Sequence, residues 1–428
     1  MRRKSTVSLD FESMERRSHE ERKKYLEGLL PDFINFAYNN APGVKKRFDE
    51  AGVDPAAITH IEDLEKVPVL RKDDLLPLQR ANPPFGGLIT VPVEELPKIY
   101  ISPGPIFDPF HVSEAFWQRQ AHAFKAMGFR KGDIVVNTFA YHLVLLGHMI
   151  ERIYRLVGAV VVPMGVGNTE LQVEVTRQLK ATVFAGTAGF FMNVVNKAEE
   201  MGYDIRKDFN LRLILAGGEM GGGPLRAMIE EKYGLPTRDI YGTSETSGVS
   251  YQCDQKRMHI HENIIMEIVD PETGKVVGPG EVGEIVVTSL DDDVFPLIRM
   301  GTGDLTAISY EPCPCGRTSP TMTRVLGRVG EAVRTRGMFI HPRQLEQAMA
   351  QFPEISSYQG IVTRPGHRDE FILEAELKTE EGINKENLTE RLLQVVTEVV
   401  RVKLDRVEFV PTGQIPKERK LVLDKRVY

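Results

Sequence analysis

The sequence predicts an α/β protein with a large N-terminal domain and a small α+β C-terminal domain. From about residue 113, short apolar runs alternate with amphipathic helical segments, as in a mixed or parallel sheet covered by helices. β-Hairpin patterns follow residue 262. With 428 residues, the chain also exceeds the size at which one hydrophobic core keeps growing. We therefore predict two domains, at 1–328 and 329–428.

The first part of the chain, about residues 1–95, is expected to form a helical apron on the large domain. Its helical segments are HEERKKYLEGLLPDFINFAYNN (19–40), PGVKKRFDEAG (42–52) and the acidic-basic stretch IEDLEKVPVLRKDDL (61–75). The parallel-sheet region comes next. Its strand candidates are DIVVNTF (133–139), GAVVVPM (158–164), ATVFAGT (181–187) and LRLILAGG (211–218).

Turn chemistry dominates the region after residue 262. Pro-Glu-Thr-Gly and Gly-Pro-Gly separate the apolar segments MEIVDPETGKVV (266–277) and IVVTSL (285–290), as in antiparallel hairpins. A glycine-rich connection at 326–337 then leads to the small domain. There, helical patterns at 343–352 and 385–404 accompany the strand-like segments 360–365, 371–377 and 405–411.

Composition limits the classes of partner. Apolar residues make up 42% of the chain and charged residues 27%, and the net charge is −6, which argues against a broad nucleic-acid-binding face. The basic N-terminus is not followed by an apolar signal segment, and no run of about 18 apolar residues suggests a membrane span. We expect a cytoplasmic protein that binds neither nucleic acid nor membrane, and a homodimer is one possible oligomeric state.

The three cysteines indicate a metal site. They cannot all pair in disulfides, and Cys313 and Cys315 are separated by one residue. Cys253 and His259 lie on the other side of the hairpin region, so the two pairs can meet when the strands fold. Three thiolates and one imidazole would suit a closed, structural Zn²⁺ site. The residues alone leave His261 as an alternative to His259, and reduced thiols without metal as the simpler interpretation.

Residues 241–245 read Tyr-Gly-Thr-Ser-Glu, which resembles the YG-x-[ST]-E signature of adenylate-forming enzymes. Taken alone, the motif also fits a strand-to-helix turn with an N-cap hydroxyl. Five further segments follow the order seen in the phenylacetate-coenzyme A ligase branch of that superfamily. They are GVGNTELQ (165–172), LAGGEM (215–220), PLIRMGTGDLT (296–306), GRVGEAVRTRGMFIHPRQLE (327–346) and IPKERKLVLDKR (415–426). The resemblance covers roughly residues 95–428.

This resemblance implies the adenylate-forming enzyme fold and a nucleotide site for ATP and AMP. Glu245 would coordinate Mg²⁺, Asp304 would bind the ribose hydroxyls, and Arg328 would lie near the nucleotide. The residues implied around the adenine and phosphate are Gly217, Gly218, Glu219, Tyr241, Gly242 and Thr243. The family also has a mobile C-terminal domain, with a hinge expected here at 327–330.

That domain supplies a catalytic lysine in the superfamily. Lys420 is the choice here, four residues after Pro416, and Lys417 is the second candidate because the tail is about two residues shorter than usual. Part of the family also carries a cysteine after the YG-x-SE segment and a Cys-x-Cys-Gly before the hinge. This register favours His259 as the zinc ligand.

The phosphate-binding loop departs from the family pattern. Most members have a Ser/Thr/Gly-rich loop where this chain has YISPGPIFDP (100–109). Ser102 and Gly104 are the remaining candidates for phosphate contacts, because three prolines remove amide donors and Asp108 would repel polyphosphate. An active but divergent enzyme is the favoured interpretation.

The expected activity is an ATP-dependent, AMP-forming acyl-coenzyme A ligase that activates an aromatic or other hydrophobic carboxylic acid, with the acid and coenzyme A as partners. The acyl pocket is expected to include Tyr141, His142, Gly147 and Gly167. Two alternatives remain: an adenylate-forming enzyme with another acceptor, and a zinc-stabilised nucleotide- or acid-binding protein with weakened catalysis.

Overall fold

The computed structural model describes residues 10–102, 105–110, 113–219, 222–329, 333–336, 338–365, 369–379 and 382–426. The chain divides into two compact units. The first comprises Met1–Glu281, Ile285–Thr302 and Ala307–Arg324, and the second comprises Val282–Glu284, Gly303–Thr306 and Val325–Tyr428. Within the described ranges, we find no helix that is long and apolar enough to cross a membrane.

The N-terminal region of the first unit is helical. It contains α1 (Phe11–Met14), α2 (His19–Asn40), α3 (Pro42–Ala51), the two-residue strand β1 (Leu70–Arg71) and α4 (Lys72–Ala81), with short 3₁₀ helices at Pro55–Ala57, Ile61–Lys66 and Val93–Glu95. Helix α2 begins at a capping box, in which Ser18 and Glu21 each accept a hydrogen bond from the other's backbone amide. The helices predicted at 19–40 and 42–52 are confirmed.

A five-stranded sheet forms the centre of the first unit. The elements leading through it are the hairpin β2 (Ile99–Ser102) and β3 (Ile106–Pro109), then α5 (Glu114–Ala126), β4 (Ile134–Asn137), α6 (Leu145–Val157), β5 (Val160–Pro163), α7 (Thr169–Gln178), β6 (Val183–Gly186), α8 (Ala188–Glu200), β7 (Leu213–Ala216), α9 (Gly223–Tyr233) and β8 (Thr237–Arg238). The strand order is β5-β4-β6-β7-β8, and every pairing is parallel.

The central strands β6 and β7 are buried on both faces, and successive side chains of each strand point to opposite faces. In β6, Val183 and Ala185 belong to one hydrophobic cluster, and Phe184 belongs to another. In β7, Leu215 faces the first cluster and Ile214 the second. The alternating pattern of strands and helices therefore correctly predicted a parallel sheet covered by helices.

Antiparallel strands follow. They are β9 (Ile240–Thr243), β10 (Ser247–Gln252), β11 (Met258–Ile260), β12 (Ile264–Val269), β13 (Gly283–Ser289), β14 (Met300–Thr306), β15 (Ile308–Ser309) and β16 (Thr321–Met322). One sheet has the order β15-β16-β11-β10-β9, and another has the order β1-β14-β13-β12. This pairing begins at Ile240, earlier than the predicted position after residue 262, because the Tyr-Gly-Thr-Ser-Glu segment itself forms a hairpin.

The second unit contains most of the remaining elements. They are β17 (Gly327–Arg328), the hairpin β18 (Val333–Thr335) and β19 (Met338–Ile340), α10 (Pro342–Met349), β20 (Ile355–Thr363), β21 (Glu370–Leu377), α11 (Lys385–Val400), β22 (Arg406–Phe409) and β23 (Val422–Asp424). The sheet order is β22-β21-β20-β23. Apolar residues of α10 and α11, including Leu345, Leu392 and Val396, pack with those of this sheet in one core.

Candidate functional site

The turn between β9 and β10 depends on a close approach of two backbone segments. Gly242 pairs with Gly248 across the hairpin, and a β-carbon added at Gly242 would lie 1.9 Å from the carbonyl oxygen of Ser247. Such a contact excludes any side chain at this position. The motif therefore forms a strand, a turn and a second strand, and the alternative of a strand-to-helix turn is wrong.

Hydroxyl groups fix the conformation of this turn. Thr243 and Thr246 place their Oγ1 atoms 3.1 Å apart, and the Thr243 amide donates to Thr246 Oγ1 at 3.3 Å. The half-buried Tyr241 donates its Oη hydrogen to Thr302 Oγ1 at 3.1 Å. Because its hydroxyl is held, the Tyr241 ring is fixed beside the turn.

Glu245 is buried at the end of the turn and pairs with a lysine. Lys72 Nζ lies 2.7 Å from Glu245 Oε1, and the Glu245 side chain is 1% exposed. A carboxylate this deeply buried requires a cation or hydrogen-bond donors nearby. Lys72 is the first residue of α4, more than 170 residues earlier in the chain. The sequence analysis assigned it no role.

The glycines after β7 lie against β9. A β-carbon on Gly217 would lie 2.7 Å from Ile240 Cγ1 and 3.6 Å from Asp239 Oδ1. Gly218 has a left-handed φ of 73°, and its β-carbon position lies 3.6 Å from Phe139 Cε1. The exposed Glu219 accepts a hydrogen bond from the Gly189 amide at 3.0 Å. The fold thus brings the LAGGE segment beside the start of the Tyr-Gly-Thr-Ser-Glu hairpin, while Met220 lies outside the described residues.

An ion pair that the sequence analysis missed connects these two segments. Arg226 Nη2 lies 2.7 Å from Asp239 Oδ2, and Arg226 Nη1 donates to the Ala216 carbonyl at 3.1 Å. Asp239 Oδ1 accepts a hydrogen bond from the Ile240 amide at 2.9 Å. Burial raises the pKa of Asp239 to about 6, against the opposing effect of Arg226. The sequence shows an aspartate two residues before Tyr241 but gives no sign of its pairing with Arg226.

Asp304 and Arg328 are neighbours in the second unit. They face each other across the antiparallel pair β14 and β17, and Arg328 Nε donates to Asp304 Oδ1 at 3.2 Å. Asp304 is buried, whereas the Arg328 side chain is 57% exposed. The buried carboxylate is therefore held in place by a partly solvated guanidinium.

Both lysine candidates of the C-terminal tail are exposed in the second unit. The backbone at Lys420 is anchored, because its carbonyl accepts a hydrogen bond from Gln359 Nε2 at 2.7 Å. Lys417 lies in the turn region before it. Of the predicted hinge at 327–330, Gly330 lies outside the described residues, and Gly327 begins β17.

The predicted phosphate loop is a β-hairpin. Ser102 ends β2 and is buried, whereas Pro103 and Gly104 lie outside the described residues. Asp108 is buried in β3 opposite Tyr100. Residues 106–109, expected in a loop, therefore form a strand, and the prediction that Asp108 would repel polyphosphate stays a prediction.

The predicted acyl-pocket residues lie around the end of β4. Asn137 Nδ2 donates to Tyr141 Oη at 2.7 Å and to the Gly147 carbonyl at 3.2 Å. A β-carbon on Gly147 would meet the Ala140 carbonyl oxygen at 2.4 Å, so this helix position requires glycine. Gly167 is exposed with a φ of 81°, and His142 is also exposed. The structure thus joins Tyr141 and Gly147 through Asn137 and leaves His142 at the surface of the first unit.

Three thiols and one imidazole converge at the far end of β10 and β11. The ligand atoms of Cys253, His259, Cys313 and Cys315 all lie within 4.8 Å of one another. Cys253 Sγ is 3.7 Å from Cys313 Sγ, and Cys315 Sγ is 3.4 Å from His259 Nε2. Zinc binds thiolate at about 2.3 Å, which separates two tetrahedral thiolates by about 3.8 Å. The spacing of these atoms fits a tetrahedral metal site.

The backbone forms similar turns after Cys253 and after Cys313. The Lys256 amide donates to the Cys253 carbonyl at 3.1 Å, and the Gly316 amide donates to the Cys313 carbonyl at 2.9 Å. In each turn, the residue three positions after the cysteine has a positive φ, of 62° and 86° respectively. Such turns leave both cysteine side chains pointing out of a tight bend, where a metal can be enclosed.

His259, and not His261, joins the thiols. Ser319 lies 2.9 Å from His259 Nδ1, so Nε2 is the nitrogen directed at Cys315. The buried His261 instead lies edge-on to the Tyr251 ring at 5.2 Å. Burial raises the pKa of the Cys253 thiol to about 12, which a bound cation would reverse by stabilising the thiolate.

The loop that carries Cys313 and Cys315 also binds the N-terminal segment. Glu15 is buried and accepts hydrogen bonds from Tyr251 Oη and from Arg317 Nε, and His122 Nε2 lies 2.9 Å from it. Its carbonyl oxygen accepts from the Thr318 amide at 2.8 Å. Burial favours a higher pKa for the Glu15 carboxyl, but these partners together hold the pKa below its ordinary value. Glu15 is therefore a charged anchor for α1.

Comparison with known proteins first defines the class. The family model of AMP-binding enzymes matches residues 112–290, and the model of the AMP-binding enzyme C-terminal domain matches residues 337–426. A crystal structure of 2-hydroxyisobutyryl-CoA ligase, in an open conformation with 2-HIB-AMP and CoA, superposes with a TM-score of 0.87 at 26% identity, covering 99% of this chain and 96% of that chain. The protein has the adenylate-forming enzyme fold.

Curated relatives define the family. The chain is 31% identical to the phenylacetate-coenzyme A ligase of Thermus thermophilus, covering 94% of this chain and 96% of that protein. It is also 31% identical to the phenylacetate-coenzyme A ligase of Escherichia coli, covering 81% of this chain and 80% of that protein. The chain belongs to the phenylacetate-coenzyme A ligase family, as its motifs predicted.

The backbone approach at Gly242 predicts a strong effect of a single methyl group. Gly242→Ala should lower the free energy of unfolding by about 1–3 kcal/mol, because the new β-carbon would overlap the Ser247 carbonyl. Gly28→Ala is the matched control, since it lies inside α2 with open space around its β-carbon position. The control should be neutral or more stable than the wild type. Urea unfolding of both variants checks this, and equal stabilities would contradict the proposed close approach.

Proposed function

We propose that the protein is an ATP-dependent, AMP-forming acyl-coenzyme A ligase for an aromatic or other hydrophobic carboxylic acid. The observation that carries the proposal is the turn after β9. The hairpin that carries Tyr241 and the buried Glu245 begins at Ile240, which lies against Gly217, in a chain 31% identical to a phenylacetate-coenzyme A ligase over 94% of its length. Oxygen ligands, an aromatic face and side-chain-free backbone are the groups that a magnesium nucleotide requires.

Each part of the nucleotide has candidate contacts. The backbone at Gly217 and Gly218 admits a flat base, and Tyr241 offers a ring face, with Gly242 and Thr243 beside it. Glu219 and the partly buried carboxylate of Asp239 would lie near the base. In the second unit, the Asp304 carboxylate would accept hydrogen bonds from ribose hydroxyls, with Arg328 as a nearby cation.

Glu245 is the candidate magnesium ligand, and its partner Lys72 supports a role in phosphate binding. A magnesium ion bound there would neutralise charge on the phosphates. With Glu245 engaged in metal coordination, the Lys72 ammonium would be available to phosphate oxygens. It would supply the positive charge that the proline-containing hairpin at 100–109 lacks.

The acid would lie near Tyr141. Phe139 and Leu146 both lie within about 4 Å of the β-carbon position of Gly218, so an apolar wall adjoins the nucleotide segment. Together with Tyr141 and Gly147, these side chains favour a hydrophobic acid, with His142 and Gly167 at the pocket entrance. Coenzyme A would then accept the acyl group from the adenylate.

The cysteine and histidine cluster would hold a structural Zn²⁺. Four protein ligands complete a tetrahedral shell and leave no position for a substrate. Bound zinc would stabilise the thiolates and thereby the two turns that present them.

Pyrophosphate release tests the proposed function. The protein would be incubated with ATP, Mg²⁺ and a panel of aryl and short-chain acids, with and without coenzyme A. Acid-dependent pyrophosphate release followed by thioester formation supports the ligase. Acid-dependent release without use of coenzyme A would favour another acceptor, and nucleotide binding without release would favour a binding protein.

Lys72→Met is expected to reduce acid-dependent pyrophosphate release by about 10-fold to 100-fold, because a charged contact to the phosphates is lost. AMP binding should change less than ATP binding, since AMP lacks the β- and γ-phosphates. Lys46→Met is the control, because Lys46 forms an exposed ion pair with Glu50 on α3. An equal loss of AMP and ATP affinity in Lys72→Met would contradict the assignment.

Lys420→Ala should reduce the rate of adenylate formation by about 100-fold or more and leave AMP affinity nearly unchanged. The ammonium group acts on charge that develops in the transition state. Lys417→Ala, three residues earlier and equally exposed, should retain most of the activity. Single-turnover measurements of acyl-adenylate compare the two variants. The reverse order of effects would transfer the catalytic role to Lys417.

Cys313→Ser should lower both the zinc content and the thermal stability. His259→Gln should have the same effect, whereas His261→Gln should retain zinc because its ring faces Tyr251. Elemental analysis of the purified variants measures the metal directly. Wild-type zinc content in Cys313→Ser, or metal loss confined to His261→Gln, would overturn the ligand assignment.

A further inference from the structure

Gln172 is a fully buried residue of α7 whose side chain bonds outside its own helix. Its Nε2 atom donates one hydrogen bond to the Gly165 carbonyl and one to the Gly167 carbonyl, both at 2.9 Å. Two carbonyl acceptors fix the orientation of the amide, because an amide oxygen in that position would repel both. The Gln172 side chain therefore bridges two peptide groups of the preceding loop.

The backbone of Gln172 already satisfies the helix. Its amide donates to the Asn168 carbonyl at 3.0 Å, and its carbonyl accepts from Thr176 Oγ1. The side-chain amide adds nothing to these helical bonds. The burial of the Gln172 side chain is therefore explained by its hydrogen bonds to the Gly165 and Gly167 carbonyls.

That loop has a backbone conformation that needs support. Gly165, Gly167 and Asn168 all have positive φ values, of 66°, 81° and 46°. Between them, Val166 is 74% exposed and contributes little packing. The Gly165 amide donates to the Asn137 carbonyl at 3.0 Å. The loop is thus fixed by polar contacts rather than by an apolar anchor at its tip.

The same loop borders the candidate acid pocket. A β-carbon on Gly165 would lie 3.8 Å from Tyr141 Cδ2. Asn137 holds the Tyr141 hydroxyl with its side chain and the Gly165 amide with its carbonyl. A shift of the Gly165 backbone would therefore change the space beside the Tyr141 ring.

We propose that Gln172 is a positioning residue that fixes the 165–168 loop and thereby sets the affinity and selectivity for the acid. The proposal rests on the proposed function for the location of the acid beside Tyr141. The position of the loop itself follows from the hydrogen bonds alone.

Hydrogen exchange of the wild-type protein and two variants tests the positioning step. Gln172→Glu replaces the bridging donor by a carboxylate oxygen that repels both carbonyls. Gln178→Glu is the matched control, with the same substitution on an exposed position of the same helix. Amides of the 165–168 loop should exchange at least about tenfold faster in Gln172→Glu and at the wild-type rate in Gln178→Glu. Unchanged exchange in Gln172→Glu would overturn the proposal.

Steady-state kinetics with phenylacetate as the probe acid test the consequence for binding. In Gln172→Glu, the KM for phenylacetate should rise at least about tenfold, while the KM for ATP stays within about twofold. The preference for phenylacetate over propionate should also fall. An equal rise in both KM values would indicate general damage and would overturn the specific role.

A third variant controls for folding. If Gln172→Glu does not give a folded protein by circular dichroism, Gln172→Met removes the donors at nearly constant length and is measured in the same way. If the wild-type protein releases no pyrophosphate with any acid, the proposed function fails. Loop exchange then still decides whether Gln172 positions the 165–168 segment.

Discussion

The close approach of the backbone at Gly242 and Ser247 is the constraint on which the candidate nucleotide site depends. Because Gly242 has no side chain, a turn of only three residues can join β9 to β10. This turn directs the Glu245 side chain into the interior and leaves the Tyr241 ring half-buried. The buried carboxylate then requires Lys72, and the ring requires Thr302 for its hydroxyl. The Lys72–Glu245 ion pair and the Tyr241–Thr302 hydrogen bond thus both depend on the absence of a side chain at Gly242.

The same antiparallel strands connect the turn to the metal cluster. β10 runs from Ser247 to Gln252, Cys253 follows directly, and β11 returns with His259. A metal ion at the far end would fix the register of these strands, and the register determines which residues face the turn. The cluster and the candidate nucleotide site lie at opposite ends of β10, so they share this strand.

Local sequence patterns allowed much of the fold, and the family, to be predicted. Alternating apolar runs predicted the parallel sheet, and ordered motifs predicted the family. Lys72, Asp239 and Gln172 were missed because their roles arise from contacts between distant segments or from the geometry of a loop, which composition and spacing do not encode. Residues 106–109 were expected in a loop because prolines and a glycine surround them, but they pair as a strand.

The anchoring of Glu15 has a consequence for the order in which the chain can fold during synthesis. Its partners emerge from the ribosome in turn: His122 first, Tyr251 next and Arg317 last, 302 positions after Glu15 itself. At typical elongation rates of about 5–20 residues per second, that final partner follows after about 15 to 60 s. During this interval, α1 is already part of the growing chain, but the set of residues that binds Glu15 is incomplete. The binding site for Glu15 is therefore completed only after Arg317 has been made.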